Sequence, residues 1–140
     1  MHLRLHTLLL AAAIALSAAA CDDNTDTTTT TPTSTTTTTE TFTGTIQKNG
    51  ATTHQFSSTS RGSVTATLTS LAPDNTVKIG VSLGTWNGTS CQIILANDQT
   101  TVGSGLVGTV SGVGNLCLRI YDAAGNLSVP TTYSIDVVHP

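Results

Sequence analysis

Past its first twenty residues the chain of 140 has two histidines, His54 and His139, and three cysteines, Cys21, Cys91 and Cys117. Nucleophilic catalysis needs a base within hydrogen-bond reach of the nucleophile and a third group to orient that base. Neither histidine has a nucleophile signature beside it. His139 is the penultimate residue, where a chain end frays, and His54 heads a strand-like stretch, so both read as polar residues at strand ends. The acids stand singly, Asp74, Asp98 and Asp122 in turn-like segments and Asp136 in an alternating run, with no paired carboxylates for acid–base work. Asp22, Asn24 and Asp26 open like a calcium loop, but Thr27 and Thr33 stand where that loop needs Gly and Glu. Residues 103–108 satisfy G-x-G-x-x-G, yet no helix follows to receive a pyrophosphate, which leaves those glycines to bends and turns. The expectation is a chain with no catalytic site, no cofactor and no metal.

Charge narrows the partners. Five Lys and Arg against eight Asp and Glu give −3, and only 9% of residues are charged. Residues 41–140 hold four cations (Lys48, Arg61, Lys78, Arg119) and four aspartates (Asp74, Asp98, Asp122, Asp136), so that part is formally neutral. A basic surface able to hold a phosphate backbone cannot be built from this set, which excludes nucleic acid. Long-range steering of charged partners is excluded on the same ground.

The N-terminus reads as an export signal. Residues 1–7 carry Arg4 and no acid, residues 8–16 are unbroken apolar, and Ser17, Ala18, Ala19 and Ala20 precede Cys21. The apolar run is too short for a membrane span, which needs roughly 20 residues. Small residues directly before a cysteine resemble the lipobox of bacterial lipoproteins. That resemblance implies removal of residues 1–20, acylation of Cys21 and attachment to the membrane through its lipid. Several acyl chains at about 0.8 kcal/mol per buried methylene hold a protein where a single chain does not.

Between residues 22 and 45, 15 of the 24 residues are Thr, and no hydrophobic side chain precedes Phe42. Such a segment buries too little apolar area to offset its ordering entropy. Residues 21–41 therefore read as the lipidated cysteine and a disordered Thr-rich linker, and residues 42–140 as the domain.

That domain reads as strands throughout. Val77, Ile79, Val81 and Leu83 alternate with Lys78, Gly80 and Ser82, predicting a strand with one aliphatic face. Val64, Ala66 and Leu68 repeat the pattern, as do Leu116, Leu118 and Ile120, then Tyr133, Ile135 and Val137. Residues 42–47, 53–58, 90–96 and 106–110 supply four weaker candidates. Asn49-Gly50 and Asn87-Gly88 have the chemistry of type I′ hairpins. About eight short strands with regular turns and no helix predict an all-β antiparallel sandwich, because two sheets must cover each other's apolar faces. The outward positions, Thr65, Thr67, Thr69, Ser82 and Ser134, offer hydroxyls to solvent.

In an exported chain the remaining even pair, Cys91 and Cys117, predicts a disulfide. Alternation sets Cys91 with Ile93 and Leu95, on an inward face, and Cys117 with Arg119 and Tyr121, on an outward one. A bond between them requires a bulge, or Cys91 in the turn before its strand. Trp86, the single tryptophan, falls beside Asn87 at a hairpin tip, and the loops of a sandwich are where recognition is placed, so Trp86 and Asn87 are the first candidates for ligand contact.

Phe56, then Gly62 opening Val64-Thr65-Ala66-Thr67-Leu68, then Gly114-Asn115-Leu116-Cys117-Leu118-Arg119-Ile120-Tyr121, and finally Tyr133-Ser134-Ile135-Asp136-Val137, resemble the bacterial pre-peptidase C-terminal (PPC) domain over residues 41–138. The resemblance implies a jelly-roll-like sandwich without catalytic activity, of a kind usually appended to secreted peptidases and with relatives that bind collagen or polysaccharide. Two expectations follow. One is a lipid-anchored, non-catalytic cell-envelope module for adhesion, assembly or glycan and protein binding, its partner an envelope protein or polysaccharide. The other is an accessory or inhibitory partner of a separate secreted hydrolase.

Overall fold

A computed structural model describes residues 36–140. The leader, Cys21 and the first part of the threonine tract lie outside the described residues. Eight strands are formed: β1 (Thr38–Ile46), β2 (Ala51–Ser58), β3 (Gly62–Ala72), β4 (Ile79–Trp86), β5 (Cys91–Thr100), β6 (Gly105–Val110), β7 (Gly114–Tyr121) and β8 (Thr131–His139). They build two four-stranded sheets, β1-β8-β3-β6 and β2-β7-β4-β5. Every neighbouring pair is antiparallel. The sandwich expected from the alternation is thus the fold, and its strand order is that of a jelly roll. β1 pairs with β8, β2 with β7, β3 with β6 and β4 with β5, so the chain runs as one long antiparallel ribbon wrapped into two layers. Residues 87–90 are the tip of the ribbon, and both ends of the described chain lie at its far end.

The core is aliphatic and lies between the layers. Val64, Ala66 and Leu68 of β3 and Ile135 and Val137 of β8 face Val81 and Leu83 of β4 and Leu118 and Ile120 of β7, all buried. Burial of a side chain of this size stabilises by about 1.5–3 kcal/mol, so period-two placement of these residues is what selects the register.

Four details differ from the sequence reading. β1 starts at Thr38, and residues 38–41, assigned above to the linker, pair in register with β8, Thr38 opposite His139 and Glu40 opposite Val137. Threonine is β-branched and suits a strand, so the end of the tract serves the sheet once β8 offers an edge. His139 accordingly does not fray: it closes β8, is buried, and is followed by Pro140, whose carbonyl accepts from the Thr59 amide at 2.9 Å. Asn49-Gly50 makes a sheet-to-sheet corner instead of a hairpin, since β1 and β2 lie in different layers; Asn49 takes φ +57° and the Gly50 amide donates to Gln47 O. Lastly, β4 is buried on both faces from Ile79 to Gly84. Ser82, expected to face solvent, is 1% exposed and its hydroxyl has no partner.

Candidate functional site

The Cys91–Cys117 bond is formed, with the Cα atoms 5.8 Å apart. Its path settles the facing problem. On β7, Cys117 lies opposite Gly84 of β4, on the outer face of the sheet. Along β5 the register shifts: Leu95 pairs with Leu83, but Ile93 pairs with Gly84 and Cys91 with Trp86. Ile94 is the extra residue, and this bulge turns Cys91 and Ile93 outward while Leu95 stays with the core side. The disulfide therefore ties β5 to β7 over β4, between strands that are not neighbours. Gly84 makes this possible, because a Cβ there would collide with the Gln92 carbonyl.

Trp86 and Asn87 do lie at the ribbon tip. Trp86 ends β4 half-buried. Asn87 is committed to the turn: its Oδ1 accepts from the Thr89 amide at 3.0 Å and the Ser90 amide at 2.8 Å, and its own amide donates to Ser90 O. Gly88 holds φ +96°. The hairpin thus has a four-residue loop built on an Asx turn. The tip offers the indole for contact, while the Asn87 carbonyl is already spent.

The two histidines, read as polar residues at strand ends, join one aromatic cluster through Phe42 and Phe56, at the opposite side of the sandwich. His54 on β2 points inward, and its Nε2 shares a 2.7 Å hydrogen bond with the Tyr133 hydroxyl of β8 in the other sheet. Its ring stacks on Phe42 of β1, centroids 4.9 Å apart. His139 of β8 donates from Nε2 to Glu40 Oε1 at 3.0 Å, and its ring lies 5.1 Å from that of Phe56 on β2. Tyr133 reaches across β1 because residue 44 is glycine; a Cβ there would occupy the space of the phenol. Burial holds the His54 imidazole below its ordinary value and pushes the Tyr133 phenol up. The group is an aromatic clasp that closes the gap between β1 and β2. It could not be found from sequence, since His54 and Tyr133 are 79 positions apart and Glu40 and His139 are 99 apart.

The acids are likewise engaged. Asp122 is buried, which pushes its carboxyl up, but backbone amides of Asn49, Leu127, Asn126 and Gly125 outweigh this and hold it below the usual carboxylate value. It accepts from Asn49 N and Asn126 N at 3.1 Å each and so pins the β1–β2 corner to the β7–β8 loop. Asp74 takes the Thr76 amide and hydroxyl, and Asp136 takes the Thr41 hydroxyl at 2.7 Å. Asp98 accepts from the Tyr121 hydroxyl, whose ring carries the Arg119 guanidinium 5.0 Å above it. Burial first, then the hydrogen bond to Asp98 and the Asp98 charge, push the Tyr121 phenol up to about 12. Among the described residues no three His, Cys, Asp or Glu side chains are grouped so as to hold a metal ion.

On the side away from the clasp, the layers part between β5 and β6. There a groove lined by Ile94, Leu95, Val110, Phe56, Leu83 and Leu116 leads from solvent to the core. Leu95 rests over Gly108 at its floor. The surface thus offers an aromatic tip and an apolar groove, both suited to binding and neither equipped with a free acid or base. No model of a known protein family matches the chain, and no curated protein matches it.

Proposed function

We propose that the chain is a lipid-anchored, non-catalytic module of the bacterial cell envelope. In this reading Cys21 carries the acyl chains, the threonine tract tethers the jelly roll, and the domain, which resembles the PPC domain, binds an envelope protein or polysaccharide in adhesion or assembly. The observation that carries it is the state of the ionisable groups. All five acids and both histidines among the described residues have a hydrogen-bond partner in the fold: Glu40 with His139, His54 with Tyr133, Asp74 with Thr76, Asp98 with Tyr121, Asp136 with Thr41, and Asp122 with backbone amides. Catalytic acids and bases are groups poised toward a cleft, and here they are consumed by the scaffold. The disulfide supports export, because such bonds persist in oxidising compartments.

Two measurements test this. Palmitate labelling of the full chain is expected to disappear in Cys21→Ser; labelling that persists refutes the anchor. Purified protein is expected to show no turnover of peptide, ester or glycoside substrates. A turnover abolished by a change at His54 overturns the non-catalytic reading. Capture from envelope extracts separates the two binding roles: a secreted hydrolase retained in stoichiometric amount places the chain with that enzyme, whereas a structural protein or polysaccharide places it in adhesion. Loss of the captured partner in Trp86→Ala assigns the contact to the ribbon tip.

A further inference from the structure

Four strands form the edges of the two sheets: β1 and β6 in one layer, β2 and β5 in the other. On the first side the aromatic clasp closes the gap, and the outward positions of β1 and β2 are Thr, Gln, Ser and Ala51. On the second side β5 is broken twice, by register shifts between Ile79 and Val81 and between Leu83 and Gly84 of its partner. β6 is different. Its pairing with β3 runs unbroken from Gly62↔Val110 to Thr67↔Gly105, and its other edge is free. Natural edges are blunted by lysine, proline, inward charge or a bulge, and Gly105–Val110 contains none of these. The three most exposed large aliphatic side chains of the described residues are Val107 (67%) on β6, Val113 (82%) just after it, and Ile94 (68%) on β5, which lines the groove with Gly108 and Val110 of β6.

We propose that a second copy of this chain docks here, β6 pairing antiparallel with its twin across a two-fold axis so that the β6-containing sheets become continuous. Charge decides for a second copy. Residues 91–97 and 105–114 contain no charged side chain. In a two-fold contact each group meets its own counterpart or that of a neighbour, so a charged edge would set like charges together, and this edge sets none. A charged partner would find nothing here to complement. Of the residues outside the structure, 22–35 are Asp, Asn, Thr, Ser and one Pro, with no apolar side chain to fill the groove, and the apolar residues 8–16 belong to the leader whose removal is proposed above. The pairing extends a ladder of main-chain hydrogen bonds and covers Ile94 and the apolar groove, the way strand addition works in general. It rests on the proposed function for removal of the leader alone, not on acylation of Cys21 or on the identity of any envelope ligand.

Sedimentation equilibrium of residues 21–140 carrying Cys21→Ser, free of detergent, reads the outcome directly. The expected result is a concentration-dependent dimer. Val107→Lys is on the solvent side of the edge and puts two ammonium groups near the axis; it is expected to weaken the dimer about 100-fold, with the melting temperature unchanged at concentrations where parent and variant are both monomeric. Ile94→Asp is expected to do the same and serves if the first variant melts early. A wild-type chain that stays monomeric up to millimolar concentration overturns the proposal. So does a dimer that survives both substitutions, or a monomer that instead takes up an unrelated strand peptide at this edge.

Discussion

Removing the disulfide as a pair, Cys91→Ala with Cys117→Ala, gives the most quantitative check on how the outer face of the β2-β7-β4-β5 sheet is held. The bonded residues are separated by 26 positions. In the chain-entropy model a loop of that length restricts the unfolded ensemble by about 3.5 kcal/mol. Cys117 is fully buried between Gln55 and Gly84, so truncation there leaves a small void worth about 1 kcal/mol more. A domain of this size has roughly 5–15 kcal/mol in total, and each kcal/mol moves its melting temperature by about 4–8 °C. The double variant is therefore expected to melt about 18–36 °C lower, by circular dichroism under non-reducing conditions. The two single variants are expected to match the double one within about 1 kcal/mol, because the bond is lost in all three. A double variant less than about 1 kcal/mol below the parent would falsify this account. It would mean that β4 already holds β5 and β7 together in the unfolded ensemble, or that the bond strains the sheet as much as it restrains the chain.

Tyr133→Phe leaves His54 Nε2 without its partner and is expected to destabilise by about 1–1.5 kcal/mol; the same loss in a His54→Phe background would show that the two groups are not coupled. Burial sets the folded His54 pKa below its unfolded value of 6.5, so the unfolded chain takes up the proton first. The His54 contribution to stability is then full above about pH 6.5 and declines as the pH falls below it. Denaturant titrations along that range should lose this slope in His54→Gln, and an unchanged slope would assign the dependence elsewhere. Both phenols of the chain are pushed above their ordinary value, that of Tyr121 to about 12. The tyrosinate absorbance band at pH 10 is expected to be weaker in folded protein than in the unfolded chain; an equal band in both states would mean that the phenols are solvated. Asp122→Ala strips the partner from backbone amides of Asn49, Asn126 and Leu127 and is expected to destabilise by about 2–3 kcal/mol, read from the same melts.

What could be read from sequence was whatever period two encodes. The strands containing Val64, Val81, Leu118 and Ile135 announce themselves because one face of each is core, and the number of layers follows from the need to cover those faces. Residues 38–41 carry no such signal. Threonine in a tract is compatible with either linker or strand, and only pairing with β8, about a hundred positions later, decides between them. A bulge was one of two ways to reconcile the disulfide with alternation, the other being Cys91 in the preceding turn, and the choice between them depends on how β5 passes over Gly84. The clasp was illegible for a simpler reason. Its members come from β1, β2 and β8, and periodicity reports which face a residue occupies without reporting what it meets there. Ser82 shows the same limit on the outer face. Its neighbours across the strands, Arg119 and Ala96, and the Tyr121 ring over Gly80 cover positions that alternation assigns to water.

The ribbon arrangement also dictates an order of assembly. β4 and β5 are joined by four residues and can pair as soon as both exist, whereas β1 waits for a partner almost a hundred residues downstream. That partner is no late addition at the rim: β8 lies in the interior of its sheet, between β1 and β3. Until the last nine residues of the domain are available, β1 has no neighbour and one side of β3 is bare. A chain emerging N-terminus first therefore cannot complete this layer until β8 has emerged. Its folding is dominated by distant contacts and expected in the millisecond-to-second range typical of sandwiches. The C-terminal strand acts as the closing wedge of the molecule.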